Sequence, residues 1–105
     1  MATTTLLKAW EVNPNAGLKY VLFQTPNTAD ATNTLAITLA DYGINATGLL
    51  AVESWVQTAD GSIVTTELNT CAVSAGVLTV TIAAGTNDDT RVIQVIGRAD
   101  AGVWV

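Results

Sequence analysis

Hydrolytic chemistry needs a nucleophile with its base, a metal-ligand cluster or two carboxylates at a set separation, and this chain is poor in all three. Histidine is absent and cysteine occurs once, at Cys71. That removes Ser-His-Asp and Cys-His systems and the ordinary zinc sites. Cys71 lies in an apolar strand pattern and is expected to be a small buried hydrophobe. Among the acids, Asp60 and Asp100 sit in turn signals where aspartate is expected for backbone reasons. Glu11, Glu53 and Glu67 lie in strand-like runs, and nothing in their spacing marks a glycosidase pair. Asn87-Asp88-Asp89 offers oxygen ligands for calcium but lacks the spaced pattern and distal glutamate of a calcium loop, so a solvated loop is expected. Asn45-Ala46-Thr47 matches a glycosylation sequon, read as a chance match, and phosphate-binding glycine motifs are absent. The expectation is a non-enzymatic protein with no catalytic residue, no cofactor and no metal.

The large contact residues are Trp10, Trp55 and Trp104, with Tyr20, Tyr42 and Phe23. Core or interface burial is the ordinary fate of tryptophan. Three exposed, coplanar rings would instead stack on sugars.

The elements that must position these residues are strands. Period-two alternation and turn residues recur along the whole chain, without a clear amphipathic helix. Strands are expected at Thr5 to Val12, Leu18 to Thr25, Thr34 to Asp41, Leu49 to Thr58, Ser62 to Leu68, Asn69 to Ser74, Val77 to Ala83 and Thr90 to Ala99, with a short final run at Val103 to Val105. Tyr42 to Gly48 reads as a break. Asp60-Gly61 and Ser74-Ala75-Gly76 read as hairpin turns. The Ala and Leu content of Thr28 to Leu39 permits a helix as the competing assignment. The fold class expected is all-β: a single-domain antiparallel β-sandwich or small jelly roll of about seven to nine short strands spanning residues 1–105.

A strand in a two-layer sandwich needs one apolar face and one polar face. In Leu49 to Val56, Leu50, Val52 and Val56 share one face while Leu49, Ala51 and Trp55 share the other. Val92-Ile93-Gln94-Val95-Ile96 also carries aliphatics on both faces. Covering loops are one explanation. A neighbouring subunit is the other, since obligate interfaces resemble a core cut in half. Leu49, Trp55, Val92, Ile93, Val95, Ile96 and Trp104 are the candidate interface residues.

Half of the residues are hydrophobic and only 12% are charged, against about 25% in ordinary soluble domains. The net charge of -5 and the scatter of Lys8, Lys19, Arg91 and Arg98 argue against nucleic acid and anionic membranes as partners. Met1 to Thr5 lacks the basic region and long apolar run of a secretory signal, and no apolar stretch approaches the ~20 residues of a membrane helix. A soluble chain folded in the cytoplasm of the producing cell is expected.

The richness in Thr, Ala, Val and Asn, the lack of histidine, and the run Arg91-Val92-Ile93-Gln94-Val95-Ile96-Gly97-Arg98 resemble small β-rich structural proteins of bacteriophage particles. The resemblance is one of style over the whole chain and carries over no functional residue. It implies a decoration or cement protein, or another capsid or tail accessory protein, with a sandwich core and a place in the virion. Its implied partners are itself, as a homo-oligomer such as a trimer, and major capsid or tail proteins. The alternatives are a carbohydrate- or ligand-binding β module and, last, a small carboxylate-dependent hydrolase.

Overall fold

A computed structural model of the chain describes residues 3–11, 18–58, 63–82 and 87–99. The chain is all-β. The strands are β1 (Lys8–Glu11), β2 (Leu18–Gln24), β3 (Thr34–Thr38), β4 (Ile44–Thr58), β5 (Ile63–Glu67), β6 (Asn69–Ser74), β7 (Val77–Ile82) and β8 (Arg91–Ala99). They form a five-stranded sheet in the order β1-β2-β8-β4-β5 and a three-stranded sheet in the order β3-β7-β6. All pairings between these strands are antiparallel.

The alternation read from the sequence sets the core. From the large sheet Val21, Phe23, Ile93 and Val95 point inward, and from the small sheet Leu35, Ile37, Leu78 and Val80 meet them. These side chains are fully or almost fully removed from water, which supplies about 1.5–3 kcal/mol each for the larger aliphatics. The ring of Tyr42 closes one end of this layer edge-on to Phe23, with centroids 4.8 Å apart.

The competing helix over Thr28 to Leu39 does not form. Thr34 to Thr38 is strand β3, and only Leu39–Tyr42 turns, as a short 3-10 helix ended by Gly43 in the left-handed conformation. β3 therefore stops three residues before Asp41. The break expected over Tyr42 to Gly48 is also smaller than its residue types suggest. After Gly43 the chain re-enters the large sheet at Ile44, and the irregularity is a shift of register against β8 between Ile44 and Leu49, with a second between Leu49 and Ala51.

Ser74-Ala75-Gly76-Val77 closes the β6–β7 hairpin as expected. Ala75 and Gly76 both have positive φ, 53° and 80°, the geometry of a two-residue turn that matches strand twist. β4 and β5 pair as the Asp60-Gly61 signal implies, but Asp60 and Gly61 lie outside the described residues, as do the final run Val103 to Val105 and the turn Asn13 to Gly17.

Candidate assembly face

The bulge in β4 decides which of its apolar residues face out. Gly97 pairs with Leu49 and Ile96 with Ala51, so Leu50 is the extra residue. One inserted residue reverses the parity of a strand. Leu49 consequently packs against the core, while Leu50 is 59% exposed. Beyond the bulge Val52, Ser54 and Val56 point inward opposite Val95, Ile93 and Arg91. Ala51, Glu53 and Trp55 point outward opposite Ile96, Gln94 and Val92.

The seven candidate interface residues divide accordingly. Trp55, Val92 and Ile96 lie together on the outer face of the large sheet, each half-buried. Ile93 and Val95 are corrected to core residues, because they alternate with the outward Gln94 and so turn inward, without exposed surface. Leu49 is corrected to the inner side by the bulge. Trp104 lies outside the described residues.

The neighbouring strand β2 extends the outer face with Tyr20 and Leu22, opposite Ile96 and Gln94, and β1 adds Trp10 opposite Leu22. Trp10 is exposed, and Lys8 Nζ stands 5.9 Å from its ring centroid. At the other margin Leu22, Trp55, Gln57, Val64, Val92 and Gln94 line a shallow depression of about 350 Å³. The centre of this face carries one full charge, Glu53, beside the carboxamides of Gln57 and Gln94 and the hydroxyls of Tyr20 and Thr66. Sequence reasoning assigned neither Leu22 nor Val64 to it. Their signal was the large side chain at the solvent parity of each strand.

No described element covers this face. Five strands at about 4.8 Å spacing are about 24 Å wide, the scale of a patch that buries ~800 Å² per partner in a standard contact. Exposed apolar patches rimmed by polar residues mark interaction surfaces.

Residues set aside in the sequence as candidates for chemistry have other employment. Glu67 is held by Arg91 through two hydrogen bonds of 3.1 Å, from Nε to Oε1 and from Nη2 to Oε2. Glu53 is on the opposite face of the sheet, so these two carboxylates do not converge. Asp30 Oδ1 accepts the backbone N–H of Asp88, and Asn87 Oδ1 accepts that of Ala31. Those side chains brace two loops against each other. Asn45 Oδ1 accepts both the N–H and the hydroxyl of Thr47. Among the described residues no three His, Cys, Asp or Glu side chains gather at metal-binding distance.

Cys71 is exposed rather than buried. It lies on β6 opposite Val80, at core parity, but on an edge strand that the large sheet does not cover. Its thiol donates to Asn69 Oδ1 at 3.0 Å, and partial desolvation pushes its pKa above the ordinary thiol value. Asn69 Nδ2 in turn donates to Ser54 Oγ, which donates to the Glu67 carbonyl. This chain of bonds fastens the place where the backbone leaves the large sheet for the small one.

Among the described residues no helix is long and apolar enough to cross a membrane. No protein-family model matches this chain, and no curated protein or solved structure matches it.

Proposed function

We propose that this chain is a non-enzymatic structural protein that self-associates and packs into a larger assembly through the outer face of its five-stranded sheet. The observation that carries the reading is the stripe of Tyr20, Leu22, Trp55, Val92 and Ile96, which no described element covers. Burying such a face adds free energy to an assembled particle without chemistry, since anything that binds the folded form stabilises it. The compositional resemblance supplies the setting. The assembly is a bacteriophage particle, with the protein as a decoration, cement or other capsid or tail accessory component, and the partners are further copies and the major shell or tail protein.

The outward and inward positions of β4 give the test. Trp55→Asp places a charge on the outer face, where an unassociated molecule leaves it in water. Val52→Asp places the same charge against the core, where an unpaired ion costs several kcal/mol. Sedimentation with circular dichroism should find Trp55→Asp folded and without the association made through the outer face, and Val52→Asp unfolded. A Trp55→Asp protein that is folded and still associates like the wild type overturns the reading.

A second reading, a carbohydrate-binding module, is favoured by one feature. Trp55 shares its depression with the carboxamides of Gln57 and Gln94, an aromatic platform beside hydrogen-bonding groups. Against it, Lys8 stands over the Trp10 ring and takes one stacking surface. Glycan-array binding that Trp55→Ala abolishes would replace the assembly reading with this one.

A further inference from the structure

The four lateral edges of the two sheets are β1, β5, β3 and β6. Each edge presents a row of N–H and C=O groups able to template another strand, and proteins blunt such rows with charge, proline, shortness or cover. β1 is four residues long and includes Lys8 and Glu11. The free side of β3 is met by the amino-terminal segment, where Thr3 bridges Thr34 and the Thr4 N–H donates to the Thr34 carbonyl at 2.9 Å. β5 is five residues long and ends in Glu67.

β6 has none of these devices. Asn69–Ser74 contains no charge and no proline, and it pairs with β7 in unbroken register from Asn69–Ile82 to Ser74–Val77. No described strand takes its other side. Its inward residues are open as well. Cys71 and Val73 pair with Val80 and Leu78, which are wholly buried, yet Cys71 is exposed and Val73 is 38% exposed.

We infer that β6 is a strand-pairing edge and that its occupant is β6 of a second copy, running antiparallel about a two-fold axis normal to the sheet. The two three-stranded sheets then join into one of six strands. The strand's own pattern fits a second copy, because about a two-fold its apolar Cys71 and Val73 and its hydroxyls Thr70 and Ser74 each meet their own kind. An edge without charge adds no repulsion between molecules that each carry a net charge of -5. Self-pairing about a two-fold closes the contact with the same patch on both sides.

A two-fold sets one residue opposite itself, and the side chains choose which. With Ala72 at the centre, Cys71 lies opposite Val73 of the other copy and Thr70 opposite Ser74, so apolar meets apolar and hydroxyl meets hydroxyl. Centring on Cys71 would set Asn69, whose amide is bonded to Ser54, against the apolar Val73. The first register is the one inferred. The contact is distinct from the outer face of the large sheet, and two distinct contacts are what growth beyond a dimer requires.

The experiment is amide hydrogen exchange on the full chain, below and above the concentration at which light scattering reports association, with Val73→Lys and Trp55→Asp beside the wild type. In an edge strand every second amide faces water. Those amides of Asn69–Ser74 should slow by about tenfold or more on association, and Cys71 alkylation should slow with them. Trp55→Asp should retain this protection as a dimer, which separates the edge from the face contact. Val73→Lys should stay folded and lose the protection, since an inward-pointing edge lysine opposes pairing. If Val73→Lys unfolds, the wild-type exchange decides alone. Unchanged exchange in β6 on association, or a wild type monomeric at every soluble concentration, overturns the inference.

Discussion

Glu67 and Arg91 are 24 residues apart in the chain, yet they form the ion pair that closes one end of the sandwich core. Arg91 has no exposed surface. Besides Glu67, its Nη1 donates to the carbonyls of Ala29 at 2.6 Å and Asp89 at 3.2 Å. Its backbone N–H donates to the Thr25 hydroxyl. One guanidinium thus ties two loops and an edge strand together. Removing one member of a buried pair strands the other charge, which costs about 3–5 kcal/mol, whereas replacing both with apolar groups is near neutral. Glu67→Leu should therefore lower the free energy of unfolding in urea by about 3 kcal/mol or more. Arg91→Met in the same molecule should restore most of that, less about 1 kcal/mol for the Ala29 carbonyl left without its donor. Equal, additive losses in the two single variants would contradict a coupled pair. Cys71 makes the opposite case, a reactive type in a quiet state. Only the thiolate attacks alkylating reagents, and with its pKa pushed up by partial desolvation less thiolate exists at any given pH. Iodoacetamide should label folded, dilute protein at neutral pH, but more slowly than the unfolded chain. The folded rate should keep climbing at alkaline pH where that of the unfolded chain levels off. Folded protein that labels faster than unfolded at neutral pH would refute the raised value.

Elements are where close approach of backbones matters, above all where β4 shifts register against β8. A Cβ added at Gly97 would stand 2.7 Å from Ile44 Cγ2 and 3.3 Å from the Gly48 carbonyl oxygen. Ile44 is buried in the core, so its methyl group has no room to withdraw. Gly97→Ala should destabilise the fold by about 1–3 kcal/mol, the usual cost of overpacking, while Gly76→Ala meets no atom but is strained by its positive φ. Thermal melts compare the two. Legibility divides along the same line. The β6–β7 hairpin could be read because Ser74-Ala75-Gly76 precedes a run of clear alternation, and Val77 to Ile82 follows that pattern residue by residue. The bulge in β4 could not, because Leu49 and Leu50 are the same residue type and a slip of one leaves no mark in composition. That slip is why Leu49 was placed on the assembly face and Leu50 was not. Ile93 and Val95 were misplaced for a related reason, since a strand with aliphatics on both faces does not reveal which face is the core. The Arg91–Glu67 pair had a faint signal, an arginine at the parity of Ile93 and Val95. Its partner is set by which strands neighbour one another, and local pattern does not reveal that.

For the whole molecule, the balance between charge and apolar surface predicts how association answers to salt. Nine acidic against four basic residues leave a net charge of -5, while the outer face of the large sheet has one charge at its centre and β6 has none. Copies that meet through such surfaces gain little from Coulomb attraction and must overcome repulsion between their acidic remainders. Salt screens that repulsion, with a Debye length of about 30 Å at 0.01 M falling to about 8 Å at 0.15 M. The apolar contribution to contact is not screened, and sulfate strengthens it by exclusion from the protein surface. Self-association should therefore tighten as sodium chloride rises from low concentration, and tighten further in sulfate at matched ionic strength. Complexes driven by opposite charges behave the other way and loosen with salt. Sedimentation equilibrium of the wild type across a salt series measures the slope. Trp55→Asp supplies the internal control, because a charge added to the outer face raises the repulsion and should shift the remaining association to higher salt. If the wild type instead dissociates as salt rises, paired charges hold the copies together. The contact would then have to lie around Lys8, Lys19 and Arg98, away from the stripe of Leu22, Trp55, Val92 and Ile96.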